Sequence, residues 1–241
     1  MRAQRRLTWL FDLDNTLHDA SHAIFPAINQ NMNAAIARVL DAEQKPAHSE
    51  AVNAMRMAYW KRYGATLLGM MRHHAVRADE FLRDAHCFEN LSQMIRAERG
   101  LARVFRRLPG TKILLTNAPQ VYARDVIRHI GLHRHFAEHV PIESMIVHRQ
   151  LRPKPSRLML QQLLASRGLR ARDCVLVEDT LANLKSAKSL GLGTVWFTGY
   201  LRDAARRPGF VDVTVKSLHQ LPKMLRRLKQ SAASRRDRLP D

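Results

Sequence analysis

Cysteine is scarce in this chain of 241 residues: there are two, Cys87 and Cys174, far apart in sequence, so no disulfide framework is implied. The apolar neighbours of Cys174, in CVLV, point to a buried thiol rather than a reactive one. Long apolar runs are also missing, and no stretch approaches the length needed to span a bilayer. The Arg-rich start leads into a short apolar stretch, but Asp12 and Asp14 interrupt it before a signal-peptide core could form. A soluble, cytoplasmic protein with no membrane partner is therefore expected, and the sequon Asn90-Leu91-Ser92 reads as a chance match. There is no Gly-rich loop ending in Gly-Lys-Ser/Thr, which argues against a P-loop ATPase.

Acidic residues are few, 21 against 40 lysines and arginines, for a net charge of +19. Such a balance raises nucleic acid or a membrane surface as a partner. Aromatic residues make up only 6% of the chain, too little to stack bases readily, and no RNP-like, zinc-finger or helix-turn-helix signature is present. Specific nucleic-acid recognition is not expected; a positive field that draws in phosphorylated, anionic substrates fits the same charge.

What is present is the balance of an ordinary globular protein, 46% apolar and 25% charged. Short apolar runs bounded by turn signals predict strands at Thr8 to Phe11, Lys112 to Leu115, Met145 to Val147, Cys174 to Val177, Gly193 to Phe197 and Asp212 to Val215. Amphipathic patterns predict helices at Val121 to Ile130, Ser156 to Arg167, Leu181 to Leu190 and Leu218 to Leu228. This alternation implies an α/β fold with a doubly wound, mostly parallel sheet. After the first strand the alternation stops, and residues 18–96 read as an inserted, all-helical domain, with helical spacing at Ala27 to Leu40, Glu50 to Tyr63 and Ala78 to Ala85. Residues 1–17 and 97–230 then form the core, and 231–241 a basic tail expected to be disordered. The methionines Met55, Met57, Met70 and Met71 and the rings of Tyr59, Trp60 and Tyr63 are expected to pack inside the helical insert. The histidines His73, His74, His133, His135 and His139 read as surface residues.

The chemistry concentrates at strand ends. Asp12-Leu13-Asp14-Asn15-Thr16-Leu17 follows the first strand directly, at the carboxyl edge where open α/β sheets bind ligands. Two carboxylates one residue apart repel each other there, and that pairing points to a cation nearby. Thr116-Asn117 follows KILL, Lys154 lies between Pro153 and Pro155, and Glu178-Asp179 follows VLV. Taken alone, each of these could be a turn, a cap or an exposed charge; four in order at the ends of alternating strands point to one site.

DLDNTL, LLTN, the lysine of RPKP, and VEDT match in order the four motifs of the haloacid dehalogenase superfamily, which the chain resembles over nearly its whole length. The resemblance implies a Rossmann-like core and a phosphoryl-transfer site. Asp12 would be the nucleophile, forming an aspartyl phosphate, and Asp14 the acid/base, a role worth about a hundredfold to ten-thousandfold. Thr116, with Asn117, would hold the phosphoryl group, and Lys154 would neutralise charge on the nucleophile and on the group in transfer. Asp179, helped by Glu178, would bind Mg²⁺ together with the Asp12 side chain and the Asp14 main-chain carbonyl. Elementary physics agrees, because a phosphate dianion repels a carboxylate nucleophile unless cations stand between them. An all-oxygen ligand set suits a hard octahedral ion, whereas zinc favours His or Cys.

Within the superfamily, DLDNTLHDA followed at once by a helical cap is most similar to the pyrimidine 5′-nucleotidase branch, as are Tyr63-Gly64, Thr66-Leu67, Gly69, Phe81-Leu82 and His86. That resemblance implies UMP and CMP as substrates, a cap that closes over small phosphorylated metabolites, and His18, Tyr63 and Thr66 as substrate-contacting residues. A phosphoglycolate or sugar-phosphate phosphatase and a β-phosphoglucomutase-like enzyme share all four motifs. A 2-haloacid dehalogenase does not use the second acid of the first motif, here Asp14. A non-enzymatic polyanion-binding protein on the same fold is the alternative of another class. The oligomeric state, monomer or dimer, is left open.

Overall fold

A computed structural model describes residues 7–201 and 206–236, with side chains as far as Leu228 in the last helix. The chain divides into two compact units, residues 20–95 and the remainder. The larger unit contains the strands β1 (Thr8–Phe11), β2 (Thr111–Leu115), β3 (Glu138–Val140), β4 (Ile146–Val147), β5 (Gln150–Leu151), β6 (Cys174–Glu178), β7 (Gly193–Phe197) and β8 (Val213–Val215). Its helices are α6 (Leu101–Arg107), α7 (Gln120–His129), α8 (Arg157–Ser166), α9 (Leu181–Ser189) and α10 (Leu221–Arg236). The smaller unit is α1 (Ile24–Ala42), α2 (Ser49–Tyr63), α3 (Thr66–His73), α4 (Ala78–Ala85) and α5 (Leu91–Met94).

Six strands form one sheet in the order β3-β2-β1-β6-β7-β8, every pairing parallel. This is the α/β doubly wound fold expected, and β1 is central to it. Trp9, Leu10 and Phe11 are fully buried, each contributing about 1.5–3 kcal/mol of burial. Because side chains alternate along a strand, they serve opposite faces. Leu10 joins Met159 and Leu160 of α8 and Leu184 and Ala187 of α9 in one core. Phe11 packs on the other side against Phe105 of α6, ring centroids 4.8 Å apart, and edge-on against Phe136.

Two strand assignments change. The run Met145 to Val147 does not enter the main sheet: Ile146–Val147 pairs antiparallel with Gln150–Leu151 in a small hairpin. The edge position belongs instead to β3, whose Glu-His-Val offers no apolar run and whose pairing with Ile113 to Leu115 is what makes it a strand. The last helix runs on to Arg236, into the tail from residue 231 expected to be disordered; residues 237–241 lie outside the described ones.

The helical unit combines a small apolar core with side-chain hydrogen bonds between its helices. Its α2 buries only Val52. Arg56 on that helix fans out to the side chains of Asn33, Asn29 and Asn53. Gly69 lies so close to Tyr59 that a Cβ there would sit 2.3 Å from the ring, which requires glycine. Of the methionines expected inside, only Met70 is fully buried; Met71 is 41% exposed and Trp60 54%. His74 is not a surface residue: its Nδ1 meets Glu43 at 3.0 Å and its Nε2 the Tyr59 hydroxyl at 2.9 Å. Both ring nitrogens serve a polar chain linking the ends of α1, α2 and α3. Among the described residues no helix is long and apolar enough to cross a membrane.

Candidate active site

In a parallel sheet all carboxyl ends lie on one edge, and at β1 the strand order reverses, with β2 and β3 to one side of it and β6, β7 and β8 to the other, the switch point where such sheets hold ligands. Phe11 pairs with Val177 of β6, and the Asp12 amide donates to the Val177 carbonyl at 3.0 Å. Asp12 is thereby placed beside Glu178. The chain then turns tightly, with Thr16 and Leu17 amides donating back to the Leu13 carbonyl. The turn needs a positive φ at Asn15 (58°), a conformation that asparagine tolerates better than other side-chain-bearing residues.

Both Asp12 oxygens are held. Lys154 Nζ donates to Oδ1 at 2.6 Å and Thr16 Oγ1 donates to Oδ2 at 3.0 Å. The same ammonium donates to Glu178 Oε2 at 2.8 Å. Lys154 is buried, and Asn117 braces it. Asn117 Nδ2 donates to the Lys154 carbonyl at 3.0 Å, and its Oδ1 accepts from the Lys154 amide at 2.9 Å. Asn117, expected at the substrate, is thus a backbone bracket for the lysine loop. Thr116 is buried at the end of β2, where its Oγ1 accepts the Ala118 amide at 3.0 Å, an arrangement that keeps its O–H for donation.

Glu178 is the most committed of the acids. Asn183 Nδ2 of α9 donates to Oε2 at 2.9 Å, and the Thr180 amide donates to Oε1 at 3.1 Å. Thr180 takes the position before α9, but its hydroxyl goes to Asp179 Oδ1 at 3.1 Å and does not cap the helix. The Asp179 carbonyl accepts from Trp196 Nε1 at 2.8 Å, which fixes the backbone beneath that carboxyl.

Asp12, Glu178 and Asp179 each offer an oxygen, all within 4.8 Å of one another, so together they could hold a metal ion. Charge favours one. Burial, and then the Glu178 charge, pushes the Asp12 carboxyl up to about 7 despite Lys154. The same two causes push Asp179 up to about 9. Burial alone would raise Glu178 too, but the Lys154 ammonium and hydrogen bonds from Asp179, Lys154 and the Thr180 amide hold it below its ordinary value. On Lys154, burial is outweighed by Asp12 and Glu178, which keep it charged. Three acids, Asp12 and Glu178 buried and Asp179 partly so, share one lysine and outnumber the positive charge available to them. The donor set, all oxygen, fits a hard divalent cation.

Asp14 turns away from this cluster. Its Oδ1 accepts from the Tyr122 hydroxyl at 2.6 Å and meets His18 Nε2 at 2.9 Å. His18, expected to touch substrate, is fully buried and spends its ring nitrogen on Asp14. Tyr63 and Thr66 belong to the helical unit. Tyr63 Oη meets His73 Nε2 at 2.5 Å, with the guanidiniums of Arg62 and Arg72 5.5 and 5.9 Å from its ring, and Thr66 Oγ1 donates to the Arg56 carbonyl at 3.2 Å.

Sequence reasoning overlooked three residues. Thr16 sat within the motif, four residues after Asp12, and a one-turn reading of the loop would have found it. Asn183 lies three residues into the turn after Thr180, on the face that meets Glu178. Tyr122 had no signal, being more than a hundred residues from Asp14 along the chain.

A family model described as haloacid dehalogenase-like hydrolase matches residues 8–191. Among solved structures, a HAD phosphatase from Thermococcus onnurineus is 18% identical with a TM-score of 0.62, the match covering 91% of this chain and 97% of that one. The putative HAD-hydrolase YfnB from Bacillus subtilis, bound to magnesium, is 15% identical with a TM-score of 0.55, covering 92% and 100%. L-2-haloacid dehalogenase from Xanthobacter autotrophicus is 14% identical with a TM-score of 0.56, covering 92% and 98%.

Proposed function

The chain belongs to the haloacid dehalogenase-like hydrolases, and on that premise we propose that it is a Mg²⁺-dependent phosphomonoester hydrolase, with UMP and CMP as the leading substrates. The observation that carries the reading is the division of labour between the two acids of one loop. Asp12 is held at both oxygens beside a buried lysine, and Asp14, two residues on, is anchored separately by Tyr122 and His18. A haloacid dehalogenase has no use for that second, separately held acid.

In the proposed reaction an Asp12 oxygen attacks phosphorus, the ester P–O bond breaks with its electron pair going to the leaving oxygen, and Asp14 supplies that oxygen with a proton. Water then attacks the aspartyl phosphate, Asp14 takes its proton, and the freed Asp12 carboxylate returns to Lys154 and Thr16. Lys154 offsets charge on Asp12 throughout, and the Thr116 hydroxyl donates to a phosphoryl oxygen. Mg²⁺, held by Asp12, Asp179, Glu178 and the Asp14 carbonyl, would neutralise phosphoryl oxygens when bound; the magnesium-bound Bacillus relative supports that choice of ion. The pyrimidine nucleotide is supported by DLDNTLHDA and the helical unit that follows it.

The test is phosphate release from UMP, CMP, phosphoglycolate and sugar phosphates, with halide release from 2-chloropropionate alongside, in Mg²⁺ and in EDTA, for wild type and Asp12→Asn. Mg²⁺-dependent release led by UMP or CMP and lost in Asp12→Asn is the expected result. A sugar phosphate or phosphoglycolate in the lead would keep the chemistry and replace the substrate, and halide release would replace the chemistry.

A further inference from the structure

Two helices of the larger unit share one pattern of packing and charge. α6 with the residue after it reads LARVFRRL, and α10 begins LPKMLRRL. In each the first and last leucines are buried, Leu101 with Leu108 and Leu221 with Leu228. The third, sixth and seventh positions are exposed cations: Arg103, Arg106 and Arg107 on α6, Lys223, Arg226 and Arg227 on α10. At 3.6 residues per turn that spacing gathers the cations of each helix on the side away from its packed face. The helices are in contact with each other, and neither contains an acid. Glu98, just before α6, is spent on the Ser217 hydroxyl and the Leu218 amide. The ion pairs of the larger unit take Arg124, Lys154, Arg167, Arg170 and Lys188; among the described residues none takes one of these six. The field is felt nearby: burial, then the charges of Lys112, Arg106 and His133, hold the His135 ring below its ordinary value.

This face does not serve the acids at the carboxyl edge. α6 ends where β2 begins, and α10 touches the turn Ala171–Asp173 that leads into β6, so both lie toward the amino edge. β2 alone, five residues at about 3.3 Å each, puts about 15 Å between the edges, nearly twice the Debye length of about 8 Å at physiological salt. We infer that α6 and α10 form a second binding surface, which takes the phosphate backbone of double-stranded nucleic acid without reading its sequence. The inference stands apart from the phosphatase reading. Five of the six cations are arginines, whose planar fork suits phosphate oxygens. A single strand would need exposed rings on which to stack its bases; the one ring of α6, Phe105, is buried, and residues 221–228 have none. A membrane would need the apolar face of a helix to enter it, and here Leu221 and Leu228 are committed to the core.

The test is fluorescence anisotropy of labelled duplexes of about 20 base pairs, DNA and RNA, each in two unrelated sequences, against the full chain over a range of salt. Wild type should bind both sequences alike, with an affinity that falls steeply as salt rises. Arg106→Gln/Arg107→Gln/Arg226→Gln should weaken binding by about tenfold or more at about 100 mM salt and lower the slope of log K against log salt by about 2 to 3, one phosphate contact for each cation removed. Arg103→Gln/Lys223→Gln/Arg227→Gln is an independent second variant with the same expectation. Arg149→Gln/Arg157→Gln/Lys185→Gln removes as much charge from exposed positions on the β4–β5 turn, α8 and α9, and should change affinity and slope far less. Equal losses in the control and in both α6–α10 variants would overturn the inference, leaving only an effect of net charge. No binding by wild type at about 100 mM salt, or no loss in either α6–α10 variant, would overturn it too. Tighter binding to phosphatidylserine vesicles than to any duplex, lost in the same variants, would replace nucleic acid with a membrane surface.

Discussion

Replacing Lys154 with methionine tests the electrostatic design of the site most directly. The ammonium is 2% exposed at its side chain and bridges Asp12 and Glu178, themselves 8% and 1% exposed. Methionine keeps most of the length of the side chain, one atom short, and removes both charge-assisted hydrogen bonds, leaving two buried carboxylates facing one another. Removing one partner of a buried ion pair costs about 3–5 kcal/mol. Asp12 can escape part of this by taking up a proton, since its carboxyl already stands at about 7 against an ordinary 3.8 with the lysine present, and losing the lysine raises it further. A carboxyl raised in the folded state binds protons more tightly there, so its contribution to stability falls as pH rises through the folded value. The penalty should therefore be toward the low end of that range at pH 6 and toward the high end at pH 9. Urea unfolding of the full chain in EDTA at the two pH values measures it. A loss under about 1 kcal/mol at both, or a larger loss at pH 6 than at pH 9, would refute the account, because a removed buried charge partner cannot be that cheap or of that sign.

Wild-type protein without divalent cations should melt at progressively lower temperature as pH rises from about 4 to about 9, since Asp12 and Asp179 both titrate above their ordinary value in the folded state; Mg²⁺ should flatten that slope, and thermal melts in EDTA and in Mg²⁺ would show it. Asp12→Asn should abolish phosphate release yet, in EDTA at pH 9, unfold at a higher temperature than wild type, because the amide removes a carboxylate that burial and Glu178 oppose. Asn117→Ala cuts both bonds to the Lys154 backbone; a stability loss of about 1–3 kcal/mol in urea and a lower kcat are expected, and unchanged values of both would show that the bracket does nothing. Of the two thiols, native protein should present one to a thiol-specific dye: Cys87 is exposed, while Cys174 is buried with its thiol pushed up to about 12.

Much of this could be read along the chain. The β1 run TWLF is a β-branched threonine followed by three apolar residues because both faces of a parallel strand are covered, and all four residues are buried. The same logic made CVLV and GTVWF legible. It failed at β3, where Glu138 and His139 form a strand through backbone pairing with β2 at the sheet edge, and at Met145 to Val147, where an apolar run serves a hairpin. Local pattern reports burial; it does not report which backbone lies alongside.

Of the site, the sequence by itself marked the acids, because strand ends in a parallel sheet share one edge and carboxylates gathered there demand cations; Lys154 reaches them from the loop that follows the β4–β5 hairpin, outside the parallel sheet. Only the tertiary structure decided what each side chain touches. It turned His18 inward to Asp14, gave Asn117 to the lysine backbone, brought Tyr122 to Asp14 and Asn183 to Glu178, and divided the two acids of one loop between separate anchors. Hydrogen-bond partners are chosen by distances of about three ångströms across elements far apart in the chain, and no spacing along a sequence encodes those.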